Sequence, residues 1–376
     1  MRILRVITRL DVHGGAELST LVELEELAAG GHDTMVATVS APATPPAVLR
    51  LDAAGVTHCH LSGRSPRQAV ELAGLVRSWR PDVVHAVIFR AELVTALGTL
   101  GRSTPTVVSL VNMQYAPEAV ASATSPRRLE VIRRVESFAL RHGIDRFHCL
   151  TSAGARHSAE RLGIEPDRIT VVPRGRRAED LAVAADEVRR VRAELDAGDS
   201  PLLVNVGRHE TQKGQDLLLD AVARLREGGH DLQLAIVGRE GNLTPALVDG
   251  IATRGLGANV SMLGERDDVP ALLAAADVVC VTSRWEGLGG SIIEALGVGA
   301  PIVGFGVDAV EEVVGDAGVL VDPFDIDGFA ASVAEVVGDP ARQRRMSVAA
   351  AERFTTEFEI GPVIDRVERL YADATR

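Results

Sequence analysis

The single lysine of this 376-residue chain, Lys213, lies five residues after Arg208 in the segment 207–214, Gly-Arg-His-Glu-Thr-Gln-Lys-Gly. The other 39 residues of the Lys/Arg class are all arginines. An ammonium is a compact point charge and a guanidinium is a planar fork, so a site that needs a point charge beside a phosphate cannot simply take arginine. Two cations on a loop that opens into a helix can stabilise charge that develops on a departing diphosphate. The alternative is a solvated surface lysine that survived by chance.

A second cluster, residues 283–297, combines two carboxylates with a glycine-rich loop. The glycines of this loop are Gly287, Gly289 and Gly290. They let the backbone approach a ligand closely, and the N-terminus of the helix that follows offers free N–H groups to an anion. Glu286 in the loop and Glu294 in the first turns of the helix can each accept hydrogen bonds from sugar hydroxyls. Ser291-x-x-Glu294 also matches a capping box, which would explain Glu294 by local structure alone.

Both clusters follow apolar strand patterns, and strand and helix patterns alternate along the whole chain. This alternation predicts an α/β fold with doubly wound parallel sheets covered on both faces. Ligands of such sheets bind at the carboxyl ends of the strands, where both clusters lie. The expected strands are Ile3–Thr8, Thr34–Val39, Asp82–His85, Thr106–Leu110, Arg146–Thr151, Ile169–Val172, Leu202–Val206, Gln233–Val237, Val260–Leu263, Val278–Thr282 and Pro301–Gly304.

The length of the chain exceeds what one hydrophobic core usually covers, so two domains are expected. We place the first at 1–175, joined by a C-terminal helix at 357–376. A polar segment at 176–200 is interpreted as a linker, and the second domain as 201–356. Two Rossmann-like domains that face one another would hold a ligand in the cleft between them.

Composition narrows the class of protein. Apolar residues make up 46% and charged residues 24%, which is typical of a globular chain, and no run of 18 apolar residues predicts a transmembrane helix. The N-terminus does not resemble a signal peptide, and the three isolated cysteines, Cys59, Cys149 and Cys280, lack metal spacing. A cytoplasmic protein is expected. The net charge of −12 argues against nucleic acid as a partner.

One stretch runs against the acidic balance. Between Glu118 and Arg177 there are 12 arginines and 7 acidic residues, a local charge of about +5 (12 − 7). Residues 127–146 carry six of these arginines, with apolar residues at helical spacing between them. The segment is either an ordinary solvated helix face or a binding face for an anionic acceptor or for the anionic lipids of the inner membrane face.

The spacing Glu286-x7-Glu294, with Ser283-x-x before it and Ala-Leu-Gly-x-Gly-Ala-Pro after it, resembles that of the retaining glycosyltransferases of family 4, which have the GT-B fold. The segment 207–214 is similar to the diphosphate-binding element of that family. Gly14-Gly15 after the first strand is similar to its N-terminal glycine loop. The resemblance runs over nearly the whole chain and is strongest from Leu202 to Leu320.

The resemblance implies a role for each matching position. Arg208 and Lys213 would hold the donor diphosphate, Glu286 the transferred sugar and Glu294 the nucleotide ribose. The backbone from Gly287 through Leu288, Gly289 and Gly290 to Ser291 would donate to phosphate and sugar. The remaining donor contacts implied are Gly14, Gly15, Gly238 and, beside the base, Arg266 in the turn Gly264-Glu265-Arg266.

Two departures from the family pattern concern the acceptor and sugar side. Many members have a histidine after the strand that here ends at Leu110, whereas this chain reads Val-Asn112-Met-Gln114, so Asn112 or Gln114 would replace it as hydrogen-bond partners. The usual Pro-Asn-Gly before the linker is replaced by Pro-Arg174-Gly-Arg176, whose arginines either face an anionic acceptor or are solvated. His13 and His85 are further candidates for acceptor contact, against the alternative of structural histidines.

The implied reaction moves a sugar from a nucleoside diphosphate to a hydroxyl acceptor with retention at the anomeric carbon, and general knowledge of such enzymes favours a UDP-sugar. No cofactor and no metal are expected, because the sole Asp-x-Asp, Asp325–Asp327, lies towards the end of the chain and Arg208 and Lys213 can neutralise the diphosphate. A GT-B sugar-nucleotide epimerase and a non-catalytic sugar-nucleotide binder remain alternatives. A dinucleotide-binding dehydrogenase is disfavoured, because Gly14-Gly15 lacks the G-x-G-x-x-G spacing.

Overall fold

The computed structural model describes residues 1–12, 15–123 and 125–376. The chain forms two compact α/β units, one built from Met1–Gly175 with Ile360–Arg376 and the other from Arg176–Glu359. Each unit contains a parallel sheet with helices on its faces, so the predicted fold class of two doubly wound domains is confirmed.

The sheet of the first unit has seven strands in the order β3-β2-β1-β4-β5-β6-β7, and every pair is parallel. The strands are β1 Arg2–Ile7, β2 Asp33–Thr38, β3 Thr57–His60, β4 Val83–Val87, β5 Thr106–Leu110, β6 Arg146–Cys149 and β7 Ile169–Val171. In the central strand β1, Ile3 pairs with Thr34 of β2 and with Val83 of β4. Strands buried on both faces read as continuous apolar runs, and Ile3–Ile7 is such a run apart from Arg5.

Helices connect these strands and cover the sheet. Those of the first unit up to residue 175 are α1 Gly15–Ala29, α2 Pro45–Ala53, α3 Ser65–Trp79, α4 Phe89–Gly98, α5 Pro117–Ala121, α6 Pro126–Gly143 and α7 Ser152–Leu162. Local sequence fixes several boundaries. Thr151 caps α7 by accepting from the N–H of Gly154, and Gly163 ends that helix in a left-handed conformation with φ of 66°.

The sheet of the second unit has six parallel strands in the order β10-β9-β8-β11-β12-β13. They are β8 Leu202–Val206, β9 Gln233–Val237, β10 Val260–Gly264, β11 Val278–Val281, β12 Ile302–Phe305 and β13 Gly318–Val321. The helices are α8 Ala185–Glu194, α9 Gln215–Glu227, α10 Thr244–Thr253, α11 Val269–Ala275, α12 Gly290–Gly297, α13 Asp308–Val314, α14 Ile326–Gly338 and α15 Pro340–Arg353. The strand order reverses between β8 and β11, the position at which such sheets bind ligands.

The last helix, α16 Ile360–Ala374, packs in the first unit. Val363, Val367 and Leu370 of this helix are buried in one apolar cluster with Ile3 and Val22. No described helix has the length and the apolar character needed to cross a bilayer.

Residues 176–200 differ from the expected linker, because they belong to the second unit. Helix α8 of this segment packs on α11, with Val191 fully buried. Two strands were not among those expected from the sequence, namely β3 and β13. The strand β3 reads Thr-His-Cys-His at the edge of the sheet and therefore lacks an apolar signal.

Candidate functional site

Two loops meet at the carboxyl end of the second sheet. Residues 207–214 follow β8 and residues 282–289 follow β11, and these two strands are neighbours. Hydrogen bonds join the loops: the N–H of Arg284 donates to the carbonyl of Gln212 at 2.8 Å, and Nε2 of Gln212 donates to the carbonyl of Trp285 at 3.1 Å. The two clusters predicted to do chemistry therefore form one structural unit.

Gly214 lets the loops approach this closely. It has a φ of 62°, and a Cβ built on it would collide with the carbonyl oxygen of Thr282. A left-handed backbone and the absence of a side chain are both needed here, which only glycine provides without strain.

Lys213 and Glu286 form an ion pair at the centre of the loops. Nζ of Lys213 lies 2.5 Å from Oε1 of Glu286, and Oγ of Ser283 donates to the same oxygen at 2.8 Å. The lysine side chain is 18% exposed and that of the glutamate 6%. The lysine stem runs along Gly207, where an added Cβ would lie 3.1 Å from its carbons. A small cavity lined by Lys213, Glu286, Ser283 and Ser291 adjoins the pair.

Helix α12 begins beside this pair. Its N-cap is Gly289, which has a φ of 82°, and the helix starts at Gly290. Ser291 therefore lies inside the first turn, and its hydroxyl donates to the carbonyl of Val206 at 3.1 Å. The capping box between Ser291 and Glu294 is not formed, so local capping does not explain Glu294.

Glu294 instead pairs with Arg176. Nε of Arg176 lies 2.9 Å from Oε1 of Glu294, and the side chains are 5% and 19% exposed. Nη2 of the same arginine would lie 3.0 Å from a Cβ added at Gly290, so the guanidinium lies at the start of α12. Arg176 is therefore paired with a carboxylate of the protein, and the expected solvated side chain is not observed.

Arg208 contrasts with Lys213. Its side chain is 52% exposed, and its guanidinium lies 3.7 Å from the carboxylate of Glu210. The backbone of Arg208 is held by Gln215, which is fully buried. Nε2 of Gln215 donates to the carbonyls of Gly207 at 3.0 Å and of Arg208 at 3.3 Å. The site thus has one enclosed cation and one exposed cation on the same loop.

His209 belongs to the 207–214 loop, and its side chain is buried, with 1% exposed. Nδ1 lies 3.1 Å from Oγ1 of Thr244, whereas Nε2 is buried without a hydrogen-bond partner among the described residues. Burial lowers the pKa of His209, which keeps the imidazole neutral at neutral pH. Oδ1 of Asn205, on the strand β8 before the loop, is likewise buried without a hydrogen-bond partner among the described residues.

Two further residues predicted to contact the donor have other surroundings. Gly238 has a φ of 143°, and a Cβ on it would collide with the carbonyl of Gly207, so it keeps β9 close to the loop. Arg266 forms ion pairs with Asp268 at 2.8 Å and with Glu194 at 2.5 Å, and these carboxylates raise its pKa. Its guanidinium already has two anionic partners, which disfavours the expected contact with a base.

In the first unit, His13 and Gly14 lie outside the described residues. Gly15 opens α1, and its carbonyl accepts from Nη1 of Arg174 at 2.9 Å. Arg174 is only 8% exposed. It is therefore tied to the start of α1, and the expected solvated side chain is not observed.

His85 is fully buried, so of its two interpretations the structure shows the structural histidine and not a residue exposed to an acceptor. Nδ1 lies 2.8 Å from the hydroxyl of Tyr371 and 2.7 Å from a nitrogen of Arg5, and Nε2 lies 2.7 Å from Oγ of Ser109. Arg5 in turn pairs with Glu23. Burial, followed by the charge of Arg5, lowers the pKa of His85, so the ring is a neutral member of a buried network.

The other two candidates, Asn112 and Gln114, both lie in the loop after β5 but have different surroundings. Asn112 is exposed, whereas Nε2 of Gln114 donates to Glu136 at 3.2 Å. The hydroxyl of Tyr115 donates to the same carboxyl group. Asn112 thus remains accessible to a ligand, and Gln114 is engaged with the protein itself.

Among the described residues, no group of three or more His, Cys, Asp or Glu side chains is arranged to hold a metal ion. The carboxylates of Asp325-Ile-Asp327 have local partners. Asp325 accepts from the N–H of Gly328 at the start of α14, and Asp327 lies 3.3 Å from Arg224.

Comparison with known proteins decides the family. The model of the glycosyl transferase 4-like domain matches residues 14–175, and that of the glycosyl transferases group 1 matches residues 188–353. Glycogen synthase of Mycobacterium tuberculosis is 31% identical over 313 residues, which cover 81% of this chain and 71% of the relative. The chain belongs to the group 1 glycosyl transferases.

Other relatives of this glycosyltransferase agree. D-inositol 3-phosphate glycosyltransferase of Segniliparus rotundus is 33% identical over 305 residues, covering 74% of this chain and 64% of that protein. The crystal structure of Anabaena HepE in complex with UDP-glucose superposes with a TM-score of 0.84 at 19% identity, over 99% of this chain and all of the other. The neighbours in structure share the fold, so the expected GT-B architecture is confirmed.

The sequence motifs of the glycosyltransferase located Lys213 and Glu286 but not all their partners. Ser283 stood in the recognised motif without a role, and it donates to Glu286. Gln215 and Arg176 were not linked to the site, because their partners lie on other segments of the chain. The signal available for Gln215 was a polar side chain at the first position of an otherwise apolar helix face.

Proposed function

We propose that the protein transfers a sugar from a nucleoside diphosphate sugar to a hydroxyl acceptor, with retention at the anomeric carbon. The observation that carries the proposal is the Lys213–Glu286 ion pair at the start of α12. The cation and the helix N-terminus there offer partners to the phosphates of such a donor, and the carboxylate offers a partner to its sugar hydroxyls.

Each side chain has a distinct role in the proposal. Lys213 and Arg208 hold the diphosphate, Glu286 accepts from sugar hydroxyls, and Glu294 accepts from the ribose. The N–H groups of the loop from Gly287 to Ser291 donate to phosphate and sugar oxygens. The second unit is the donor domain, and the first unit binds the acceptor.

The ion pair prepares this site before the donor arrives. When the donor binds, Lys213 turns from Glu286 to a phosphate oxygen, and Glu286 turns to a sugar hydroxyl. Both groups keep a polar partner throughout, so neither is left uncompensated in a largely buried position. Ser283, whose hydroxyl donates to the carboxylate, remains a partner of Glu286 during the exchange.

The transfer step breaks the bond between the anomeric carbon and the diphosphate oxygen and forms a bond to the acceptor oxygen on the same face. The proton of the acceptor hydroxyl passes to the departing phosphate oxygen, so no side chain is needed as general base. Lys213 and Arg208 stabilise the charge that develops on the diphosphate. The step uses no cofactor and no metal ion.

The donor we favour is a UDP-sugar. Support comes from Anabaena HepE, whose fold is the same and whose crystal structures contain UDP, or UDP-glucose. The acceptor carries a free hydroxyl. We further propose a cytoplasmic location with peripheral contact at the inner membrane face through residues 127–146.

Incubation with UDP-, GDP- and ADP-sugars tests the reaction. We expect one of them to raise the melting temperature and to release free nucleoside diphosphate when an acceptor is present, with the anomeric configuration of the product retained by NMR. An epimerase would convert the nucleotide sugar without releasing diphosphate. If a nucleotide sugar raised the melting temperature but no turnover occurred under any condition, the protein would be a non-catalytic sugar-nucleotide binder.

A chelator tests the part of the proposal that concerns metal. We expect the rate to survive EDTA, because Lys213 and Arg208 supply the positive charge that a metal would otherwise give. The measurement is the rate of diphosphate release before and after chelation. Complete loss that Mg²⁺ or Mn²⁺ restores would contradict the assigned diphosphate contacts.

A further inference from the structure

Helix α6 presents an unusual face to solvent. Val131, Val135 and Phe138 are 62%, 56% and 68% exposed. They follow one another at spacings of four and three residues, so they form one stripe along the helix. The sequence suggested an apolar face opposite a basic one, and the buried side of α6 is indeed formed by residues such as Leu140. The exposed side, however, is apolar as well.

Arginines flank this stripe on the same face. Arg127, Arg128, Arg134 and Arg141 are all exposed. The two acidic residues of α6 add little free negative charge to this face: Glu130 is bound by Arg133 at 2.7 Å and by Arg134 at 2.9 Å, and Glu136 is 2% exposed. The exposed face of α6, all of which the structure describes, thus combines three apolar side chains with four arginines, of which Arg134 is paired with the carboxylate of Glu130.

The neighbouring helix extends the apolar character. Helix α4 packs against α6, and a Cβ added at Gly143 would lie 3.0 Å from Ala96, so the C-terminal ends of the two helices are adjacent. Leu97 and Leu100 at that end are 55% and 67% exposed. A molecule with a net charge of −12 therefore gathers exposed apolar side chains and positive charge in one region of its surface.

We propose that this face of α6 docks on a membrane surface of anionic lipids. The stripe of Val131, Val135 and Phe138 enters the boundary between headgroups and acyl chains, and Arg127, Arg128 and Arg141 pair with lipid phosphates. Charge complementarity favours this partner, because basic side chains beside bulky apolar ones on one helix face are the pattern of interfacial helices. Nucleic acid would use the arginines but gives the exposed valines no favourable environment.

Sedimentation with lipid vesicles tests the proposal without any sugar nucleotide, so the result does not depend on transferase activity. We expect binding to vesicles of phosphatidylcholine with roughly one third phosphatidylglycerol, and little binding to phosphatidylcholine alone. Raising the salt from about 0.1 M to about 0.5 M should weaken the binding, because screening shortens the reach of the arginines.

Two variants separate the contributions. Arg127→Gln with Arg128→Gln should weaken the partition coefficient about 25-fold, at about fivefold per arginine near an anionic surface. Val131→Ser, Val135→Ser and Phe138→Ser together should weaken it by at least about tenfold. All these residues are exposed, so the melting temperatures should stay near that of the wild type.

Helix α15 offers a matched control, because it also exposes arginines and a valine. Arg344→Gln, Arg345→Gln and Val348→Ser together should leave vesicle binding unchanged. Equal loss in this control and in the α6 variants would overturn the proposal, since any cationic surface would then suffice. It would also be overturned if the vesicles failed to bind the wild type, or if the α6 variants abolished self-association in analytical ultracentrifugation without affecting vesicle binding.

Discussion

Lys213 is enclosed by two neighbours: the carboxylate of Glu286 and the backbone at Gly207. The space beside Gly207 fits a slender methylene chain, and the carboxylate fits a point charge. This explains in structural terms why the position holds the only lysine in a chain that otherwise uses arginine.

Replacing this lysine should reduce turnover strongly. Lys213→Ala removes a preorganised charge contact, which typically costs about a hundredfold or more in rate. Lys213→Arg should also be impaired, because the planar guanidinium needs more room than the stem beside Gly207 leaves. The measurement is kcat for diphosphate release, with circular dichroism to check the fold.

Arg224 supplies the control for this prediction. It is an exposed cation on α9 that pairs with Glu227 and Asp327, so Arg224→Gln changes the same net charge away from the site. We expect its turnover to match the wild type. A Lys213→Ala enzyme that worked within a few-fold of the wild type would remove the central residue of the proposed function.

Glu286 and Glu294 should respond differently to substitution by glutamine, which keeps their shape. Glu294→Gln should weaken the affinity for the free nucleoside diphosphate, because a ribose contact is made in substrate and product alike. Glu286→Gln should keep that affinity while turnover collapses, because a sugar contact is felt mainly in the transition state. Calorimetric titration with the diphosphate measures the first effect and steady-state kinetics the second.

Glutamine is preferred to alanine at position 294 because Arg176 is 5% exposed and would lose its charge partner in a cavity. The opposite pattern of affinities would exchange the two roles. If both variants kept full turnover, Glu294 would serve only to neutralise Arg176.

At the scale of residues, functional side chains could be predicted from the sequence more reliably than the side chains that contact them. Lys213 and Glu286 stood out because their types and spacing suggest chemistry, and the structure brings them together. Arg176 was not linked to Glu294, since 118 residues separate them and nothing local connects them. The capping box was a wrong interpretation, because α12 begins at Gly290, one residue before the serine.

At the scale of elements, Gly214 determines how closely the two loops meet. Gly214→Ala should destabilise the fold more than Gly229→Ala, although both glycines have positive φ, 62° and 85°. An added methyl group has open space at Gly229, whereas at Gly214 it collides with Thr282. The backbone strain common to both costs about 1 kcal/mol, and the collision adds to it only at 214.

Urea unfolding of the two variants measures this difference. Gly214→Ala should also lose activity, because displacement of the β11 loop moves Glu286 relative to Lys213. Equal losses of stability in the two variants would mean that the loops can separate without cost, which would contradict the tight junction described here.

Most helices and strands could be predicted, because the buried side of each one requires apolar residues at a regular spacing in the sequence. The strands Thr106–Leu110, Leu202–Val206 and Gln233–Val237 have the expected bounds. The strand β13, Gly318–Val321, was missed because it is short and starts with glycine. The segment 176–200 is polar on its exposed side and resembled a linker, but Val191 and Leu195 are buried, so it belongs to a folded unit.

At the scale of the whole molecule, buried charge should make stability depend on pH. Glu136 is 2% exposed, and burial raises its pKa to about 7, from an ordinary value of 4.5, against the opposing hydrogen bonds from Tyr115 and Gln114. The native state therefore binds this proton more tightly than the unfolded state does. Its stabilising contribution is complete below about pH 4.5 and is lost as the pH rises through about 7, roughly 3 kcal/mol in all.

Glu136→Gln should remove this dependence, because glutamine stays neutral and can still accept from Tyr115. The variant should resemble the wild type near pH 5 and exceed its unfolding free energy near pH 8 in urea titrations. Glu118→Gln, at an exposed position of α5, is the control and should follow the wild type. A Glu136→Gln variant with the same pH profile as the wild type would show that the carboxyl group is ionised throughout.

The position of α16 has a consequence for synthesis on the ribosome. The first unit needs residues from both sides of the second, and its apolar cluster around Ile3 and Val22 stays open until Val363, Val367 and Leu370 are translated. The second unit is continuous, from Arg176 to Glu359, and its synthesis is finished earlier. Because domains fold as units while the chain emerges, the unit that begins first should be the last to complete its folding.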